Sequence, residues 1–248
     1  MVKHTNSSKQ IEIFAQENER RKGMKKNVSI LISYPLKTDT PVYSGSPKMK
    51  IEQHKSIANG NSSNTSLLTL SNHTGTHLDL PRHFCDDGPA ADDMLSARCE
   101  FFPTFCIDLS QNGRIAIRPE DFEDHLSDTC SAEALLIKTG IAERRGTSRY
   151  CSNYPYVDPD VPGFLRKFYP DLKVFGIDTL SVSNPTFREM GRACHRNFLC
   201  DKPSILIMED VNLSNSRIDR GPWVLKVFPV FLGNLDAVPV ISILELQE

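Results

Sequence analysis

Apolar runs of strand length recur along the chain: TSLLTL (65–70), TFCIDLS (104–110), ALLIKT (134–139), LKVFGI (172–177), SILIM (204–208) and VPVISILEL (238–246). Each is short, rich in Val, Ile, Leu or Phe, and bounded by Gly, Pro, Asn or Asp, the pattern of buried strands. Helical signals are fewer. RPEDFEDHL (118–126) places Pro119 at a helix start with acids in the first turn, and DVPGFLRKFY (160–169) is a second short candidate. Between them ERRGTSRYCSNYPYVDPD (143–160) reads as one long loop carrying Tyr150, Tyr154 and Tyr156; loops of that length inside a domain usually serve function. The pattern predicts a mixed α/β fold, strand-dominated, in a single domain.

Before Val28 the pattern fails. Residues 1–27 are polar and charged with little to bury beyond Ile11, Ile13 and Phe14, so they are expected to form a flexible or weakly helical extension. The folded domain is expected over 28–248, and Met24, followed by two lysines, could be the true initiator.

Composition narrows the partners. A net charge of −2 leaves no basic footprint for nucleic acid. No stretch approaches the apolar length needed to cross a bilayer. The seven cysteines (85, 99, 106, 130, 151, 194 and 200) form no CxxC pair and are odd in number; with no signal peptide in view they are expected to be reduced and mostly buried, in a cytoplasmic protein. A small-molecule substrate and a second copy of the chain remain as partners.

One stretch stands apart. NHTGTHLDLPRHF (72–84) holds His73, His77 and His83 with Asp79 between them, three of only seven histidines. Gly75 and Pro81 argue against a helix. In an extended chain, residues two apart share a face, which predicts His77, Asp79 and His83 on one side and Leu78 and Leu80 in the core. Gly75 can turn the chain so that His73 returns to the same point. Two neutral imidazoles and a carboxylate are the ligand set of catalytic zinc sites, and suit Mn(II) or Fe(II), with positions left for water. A single histidine would be read as an ordinary hydrogen-bonded group; the whole pattern reads as a metal centre. There is no HExxH helix.

His73-x-Gly75-Thr76-His77-x-Asp79-x-Pro81-x-His83 resembles the signature of the metal-dependent cyclase family, which includes bacterial kynurenine formamidases and isatin hydrolases. SYPLKTDTPVYSGSP (33–47), GIDTLSVSNP (176–185) and CHRNFLCDKPSILIMEDVNL (194–213) resemble further family segments in the same order, so the resemblance spans most of the chain from about Val28 onward. It implies a swivelling β/β/α fold and a homodimer or higher oligomer. It implies one or two divalent ions, Zn(II) or Mn(II), on His73, His77 and Asp79, with His195 and Glu209 completing a second site and Asp79 bridging. His83 falls at the family's general acid/base position. The residues themselves agree for Glu209, which ends the apolar run SILIM where a carboxylate is awkward to bury without a partner. His195, beside Cys194 and Arg196, sits in a segment with no clear strand or helix pattern.

The chain departs from the family at Tyr43, where Trp is usual, at Ser46 and Ser183, where acids are common, and in the ending GNLDAVPVISI (233–243), which lacks an expected Arg. These positions are expected to line or border the substrate pocket. The implied reaction is hydrolysis of a carbon–nitrogen bond in an amide, formamide or lactam by metal-activated water, with His83 moving the proton. Thr76 is a candidate for holding the oxyanion. Tyr43, Phe84 and the tyrosines of 150–156 are candidates for an aromatic wall. The alternatives are a lactonase, a dehydratase or cyclase acting on a small acid, and a metal-binding homologue without turnover.

Overall fold

The computed structural model describes residues 28–94, 99–230 and 233–246; the expected N-terminal extension, with Met24, lies outside them. In chain order the strands are β1 (Ser29–Leu31), β2 (Lys50–Lys55), β3 (Thr65–Thr69), β4 (His77–Asp79), β5 (Glu100–Asp108), β6 (Ala116–Ile117), β7 (Ala134–Lys138), β8 (Tyr156–Val157), β9 (Val174–Ile177), β10 (Leu206–Glu209), β11 (Trp223–Pro229) and β12 (Ala237–Leu246). Seven of them close into a barrel-like sheet in the order β12-β11-β5-β7-β9-β10-β4, with β4 returning to β12, and β1 adds an eighth strand on β12. The long β12 makes closure possible. Its first residues, Ala237–Pro239, pair with His77–Asp79, while Ile243–Glu245 further along pair with β1.

β5, β7, β9 and β10 run parallel, and parallel strands need cover on both faces. Their side chains alternate accordingly. Ala134, Leu136, Val174 and Met208 join Leu78, Trp223 and Leu225 in one core. Leu135, Ile137, Phe175 and Ile207 turn the other way, against Leu165 of helix α1 (Val161–Phe168) and Cys194, Phe198 and Leu199 of helix α2 (Arg188–Leu199). The barrel is filled, so a site has to lie outside it, under the helices.

The mixed, strand-dominated, single-domain expectation holds, and five of the six apolar runs form barrel strands. The sixth, TSLLTL, is β3, which pairs only with β2 in a hairpin exposed along its length, so it is not a buried strand. β11 has no continuous apolar run because Lys226 interrupts it. Segment 143–160 is not one loop: it contains a helical turn at Ser148–Ser152, capped by Thr147, and β8. RPEDFEDHL forms the short turn Glu120–Glu123 and only begins a second, Leu126–Thr129.

α2 is the larger surprise, and its sequence shows why. Its buried stripe is Gly191, Cys194, His195, Phe198 and Leu199, helically spaced but with Gly and His where a periodicity reading looks for large apolar residues. The cysteine reading is also corrected. Cys85 and Cys200 form a disulfide, and of the free cysteines Cys194 alone is buried while Cys130 is exposed. The seven thiols are therefore not all reduced and give no ground for placing the protein in the cytoplasm. Among the described residues no helix is long and apolar enough to cross a membrane.

Candidate metal centre

Strand alternation builds the floor of the site. Leu78 and Met208 turn into the barrel, so their neighbours His77, Asp79 and Glu209 face the helix layer. The β4–β10 register sets Glu209 opposite His77 and Ile207 opposite Asp79. The roof is α2. A Cβ on Gly191 would stand 2.0 Å from the Ser183 hydroxyl oxygen, so only glycine lets this turn of the helix approach so closely. One turn later His195 meets the strands. On the other side Gly75, with φ of +71°, reverses the chain ahead of β4, and a Cβ there would strike Leu36 at 2.4 Å.

Each imidazole is oriented by its second nitrogen. His77 Nδ1 lies 2.8 Å from the Gly75 carbonyl and His195 Nδ1 lies 2.8 Å from the Gly191 carbonyl. A carbonyl only accepts, so in both rings Nδ1 carries the proton and Nε2 presents its lone pair to the centre. His195 Nε2 is 3.4 Å from Glu209 Oε1 and 3.6 Å from Asp79 Oδ2; His77 Nε2 is 3.4 Å from Asp79 Oδ1 and 3.6 Å from Glu209 Oε2. Glu209 is steadied by the Ser181 hydroxyl, which donates at 2.9 Å, and the Val182 amide at 2.7 Å. His73 turns Nδ1 to Asp79 Oδ1 at 3.0 Å and Nε2 to Asp236 Oδ2 at 3.0 Å.

His83 reaches the centre by a different route from the one its spacing suggests. The chain is extended only to Leu80; Pro81–His83 is a 3₁₀ turn, closed by the His83 amide on the Leu80 carbonyl. The turn folds the ring back to 4.2 Å from that of His73 and 5.8 Å from that of His195. His195 likewise belongs to a regular helix, not to an irregular segment.

The charges and the unpaired atoms point to a cation. Burial pushes the His73 imidazole down, but Asp79 and Asp236 overcome it and raise its pKa to about 10. Burial would raise the Asp79 carboxyl, yet the imidazoles of His73 and His77 hold it well below the usual range. Among the described residues His77 Nε2 and both Asp79 oxygens are buried without a well-formed hydrogen bond, the nearest approach being His73 Nδ1 at 3.0 Å from Oδ1. Such atoms are costly unless something coordinates them. Donor atoms of His73, Asp79 and His83, and separately of His77, Asp79 and Glu209, converge within 4.8 Å, with Asp79 common to both groups. Nitrogen and carboxylate donors in this mixture fit a divalent transition ion.

Above this floor is a cavity of about 280 Å³. Tyr43 and Phe84 line it, as do Ser46 and Ser183, so three of the departures from the family pattern gather here, and Tyr43 Oη and Ser183 Oγ are 3.3 Å apart. Phe84 stacks on His195 with ring centroids 4.8 Å apart. The other suggested residues go elsewhere. Thr76 Oγ1 donates to the Asp210 carbonyl at 2.6 Å and accepts from the Tyr34 amide at 3.1 Å, and Thr76 is not in the cavity wall. Tyr150, Tyr154 and Tyr156 are buried and line no part of it. Sequence reasoning missed Asp236, which bonds two of the histidines from more than 150 positions away, and the wall arginines Arg188 and Arg192. The helical spacing of 188, 192 and 195 is the signal that could have found the arginines; nothing local marks Asp236.

Fold and site together define a closed-sheet α/β protein with a buried histidine–carboxylate centre between sheet and helix. A family model described as putative cyclase matches residues 30–184. The chain is 31% identical over 214 residues to the kynurenine formamidase of Geobacillus thermodenitrificans, covering 86% of this chain and 95% of that protein. Isatin hydrolase A from Labrenzia aggregata, bound to benzyl benzoate, has the same fold with a TM-score of 0.73 at 19% identity, over 94% of this chain and 100% of that one. A protein from Bacillus stearothermophilus described as a predicted metal-dependent hydrolase matches with a TM-score of 0.70 at 20% identity, over 90% and 100% of the two chains. The chain belongs to the cyclase family.

Proposed function

We propose that the protein is a metal-dependent hydrolase that cleaves a carbon–nitrogen bond outside peptides, in an amide, formamide or cyclic amide of a small, ring-bearing molecule. The observation that carries the reading is the convergence of donors of His73 and His83, and of His77 and Glu209, on the buried Asp79 carboxylate, with His195 beside Asp79 and Glu209, beneath a cavity. The relatives support the reaction class: one is a formamidase by name, and isatin, the compound named in the other, is a cyclic amide.

His73, His77 and Asp79 would hold Zn(II) or Mn(II), and His195 and Glu209 a second ion, with Asp79 between them. When bound, such an ion supplies Lewis-acid chemistry, bringing the pKa of its water to about 7 and polarising the carbonyl. The chain's own residues do the rest. His83 Nδ1 is bound to Asp236 Oδ2 at 2.8 Å, which leaves Nε2 to accept a proton from water and pass it to the departing nitrogen. Amide nitrogen is a poor leaving group until protonated, so this transfer is needed. Tyr43 and Phe84 would flank the substrate ring.

The test is elemental analysis for zinc and manganese, followed by formamides, lactams and lactones assayed before and after chelation and ion replacement. Expected are bound ion and chelator-sensitive cleavage of amides. Lactone hydrolysis with every amide untouched would favour the lactonase alternative, and an ion-loaded protein without turnover would make it a binding homologue.

We also propose a homodimer or larger assembly. A two-stranded hairpin is marginal alone in water, and the β2–β3 hairpin with its connection exposes Ile51, Ile57, Leu67 and Leu68 at 47–60%. Light scattering at micromolar concentration should give at least twice the chain mass; a monomer would refute this.

A further inference from the structure

We infer that Asp236 is a positioning residue for two groups of the site at once, orienting His73 toward the ion and His83 toward the substrate. The inference rests on the acid/base reading of His83 given above, and extends it to a residue with no local motif.

One oxygen, Asp236 Oδ2, faces His73 Nε2 at 3.0 Å and His83 Nδ1 at 2.8 Å. A carboxylate oxygen has lone pairs for two donors, so both imidazoles can give it an N–H, which directs His73 Nδ1 to Asp79 and leaves His83 Nε2 free. The carboxylate is itself pinned. Asp236 Oδ1 accepts from Asn72 Nδ2 at 2.7 Å, and the same amide group donates to the Ala237 carbonyl at 3.1 Å. The Asp236 carbonyl accepts from the Leu80 amide at 2.9 Å, between the strand bearing Asp79 and the turn bearing His83. The next residue, Ala237, pairs directly with Asp79 where β12 closes the barrel. Barrel closure therefore delivers the carboxylate in register with the residues it orients. Partners of this kind hold ligand tautomers and add basicity, and their loss generally costs 10- to 100-fold in ion affinity or activity.

The test compares full-length Asp236→Ala and Asp236→Asn with the wild type, and combines Asp236→Ala with His83→Ala. Zn(II) affinity is measured by competition with a chromophoric chelator, and kcat and KM on an amide that the wild type cleaves. For Asp236→Ala, Zn(II) affinity and kcat should each fall about 10- to 100-fold, with KM nearly unchanged. At Zn(II) concentrations that saturate every variant, adding Asp236→Ala to His83→Ala should lower kcat no further, because the carboxylate acts on the proton step through that ring. Asp236→Asn keeps the shape, loses the charge and turns an N–H toward Asn72; it should fold as the wild type does and show smaller losses of the same kind. Zn(II) affinity within about twofold of wild type in both variants would overturn the inference, and so would kcat losses that multiply in the double variant. Full turnover by His83→Ala alone would sink the acid/base reading instead, since the His73 arm is read through ion affinity without any turnover.

Discussion

Glu209 and Asp210 are neighbours in sequence and equally buried, 4% and 0% exposed, yet they belong to opposite kinds of site. Asp210 adopts a left-handed conformation, φ +50°, which short polar residues tolerate best after glycine, and the chain bends there at the end of β10. Glu209 looks toward the helix layer and Asp210 away from it. Asp210 is fully partnered: Arg145 donates through Nε at 3.2 Å and Nη2 at 2.6 Å, the Tyr150 hydroxyl donates as well, and the guanidinium lies 3.8 Å over the Tyr34 ring. Burial raises the Asp210 carboxyl although Arg145 and Tyr150 oppose it. In the neighbouring centre the Asp79 oxygens and His77 Nε2 have no aligned partner. Burial and charge are alike in the two regions; hydrogen-bond satisfaction is what separates a structural ion pair from a site built to receive a ligand.

Removing one charged group from each region should break that contrast most sharply. Asp79→Ala is expected to abolish both ion binding and turnover while keeping the fold, since Leu78 and Leu80 stay in the core. Elemental analysis and circular dichroism check this, and full ion content in the variant would refute the ligand assignment. His83→Ala should retain the ion and lose turnover by about 10²–10⁴-fold, with a smaller loss on activated esters, whose leaving groups need no proton. Loss of the ion with His83 would make it a ligand. In the other region Arg145→Ala leaves Asp210 buried without its ionic partner, held only by the Tyr150 hydroxyl, and should cost about 3 kcal/mol of stability in urea titration, the low end for a broken buried pair because Arg145 keeps an open edge. Its ion content should be that of the wild type.

The smallest effect concerns Asp178, which the Thr139 and Gly140 amides and the Thr139 hydroxyl bind at 2.6–3.0 Å. Burial outweighs these bonds and raises its pKa from 3.8 to about 6. The folded state therefore holds this proton more tightly than the unfolded chain does. The contribution is complete below about pH 4 and is lost as pH rises through about 6, on the order of 3 kcal/mol in all. Asp178→Asn should flatten that part of the stability profile, measured in chelator so that ion release does not intrude. An unchanged slope would place the carboxyl at its ordinary value.

Much of this was legible locally. Period-two alternation put Leu78 and Leu80 in the core and so turned His77 and Asp79 together, and the same alternation ending at Glu209 turned it to the same side, because strand geometry is set by neighbouring residues. Apolar runs marked most barrel strands. Tertiary structure alone decided the rest. The turn that carries His83 back depends on Pro81 and on the Leu80 amide finding the Asp236 carbonyl. α2 is helical despite a weak apolar stripe because Gly191 fits against Ser183 and the stripe meets the sheet. The Cys85–Cys200 bridge spans 115 positions. The tyrosines of 143–160 sank into the core or the Asp210 network. Asp236 meets His73 and His83 only because β12 closes the barrel against β4. Contacts within a strand or a turn are written in adjacent residues; contacts made by closing a sheet join residues that no local pattern relates.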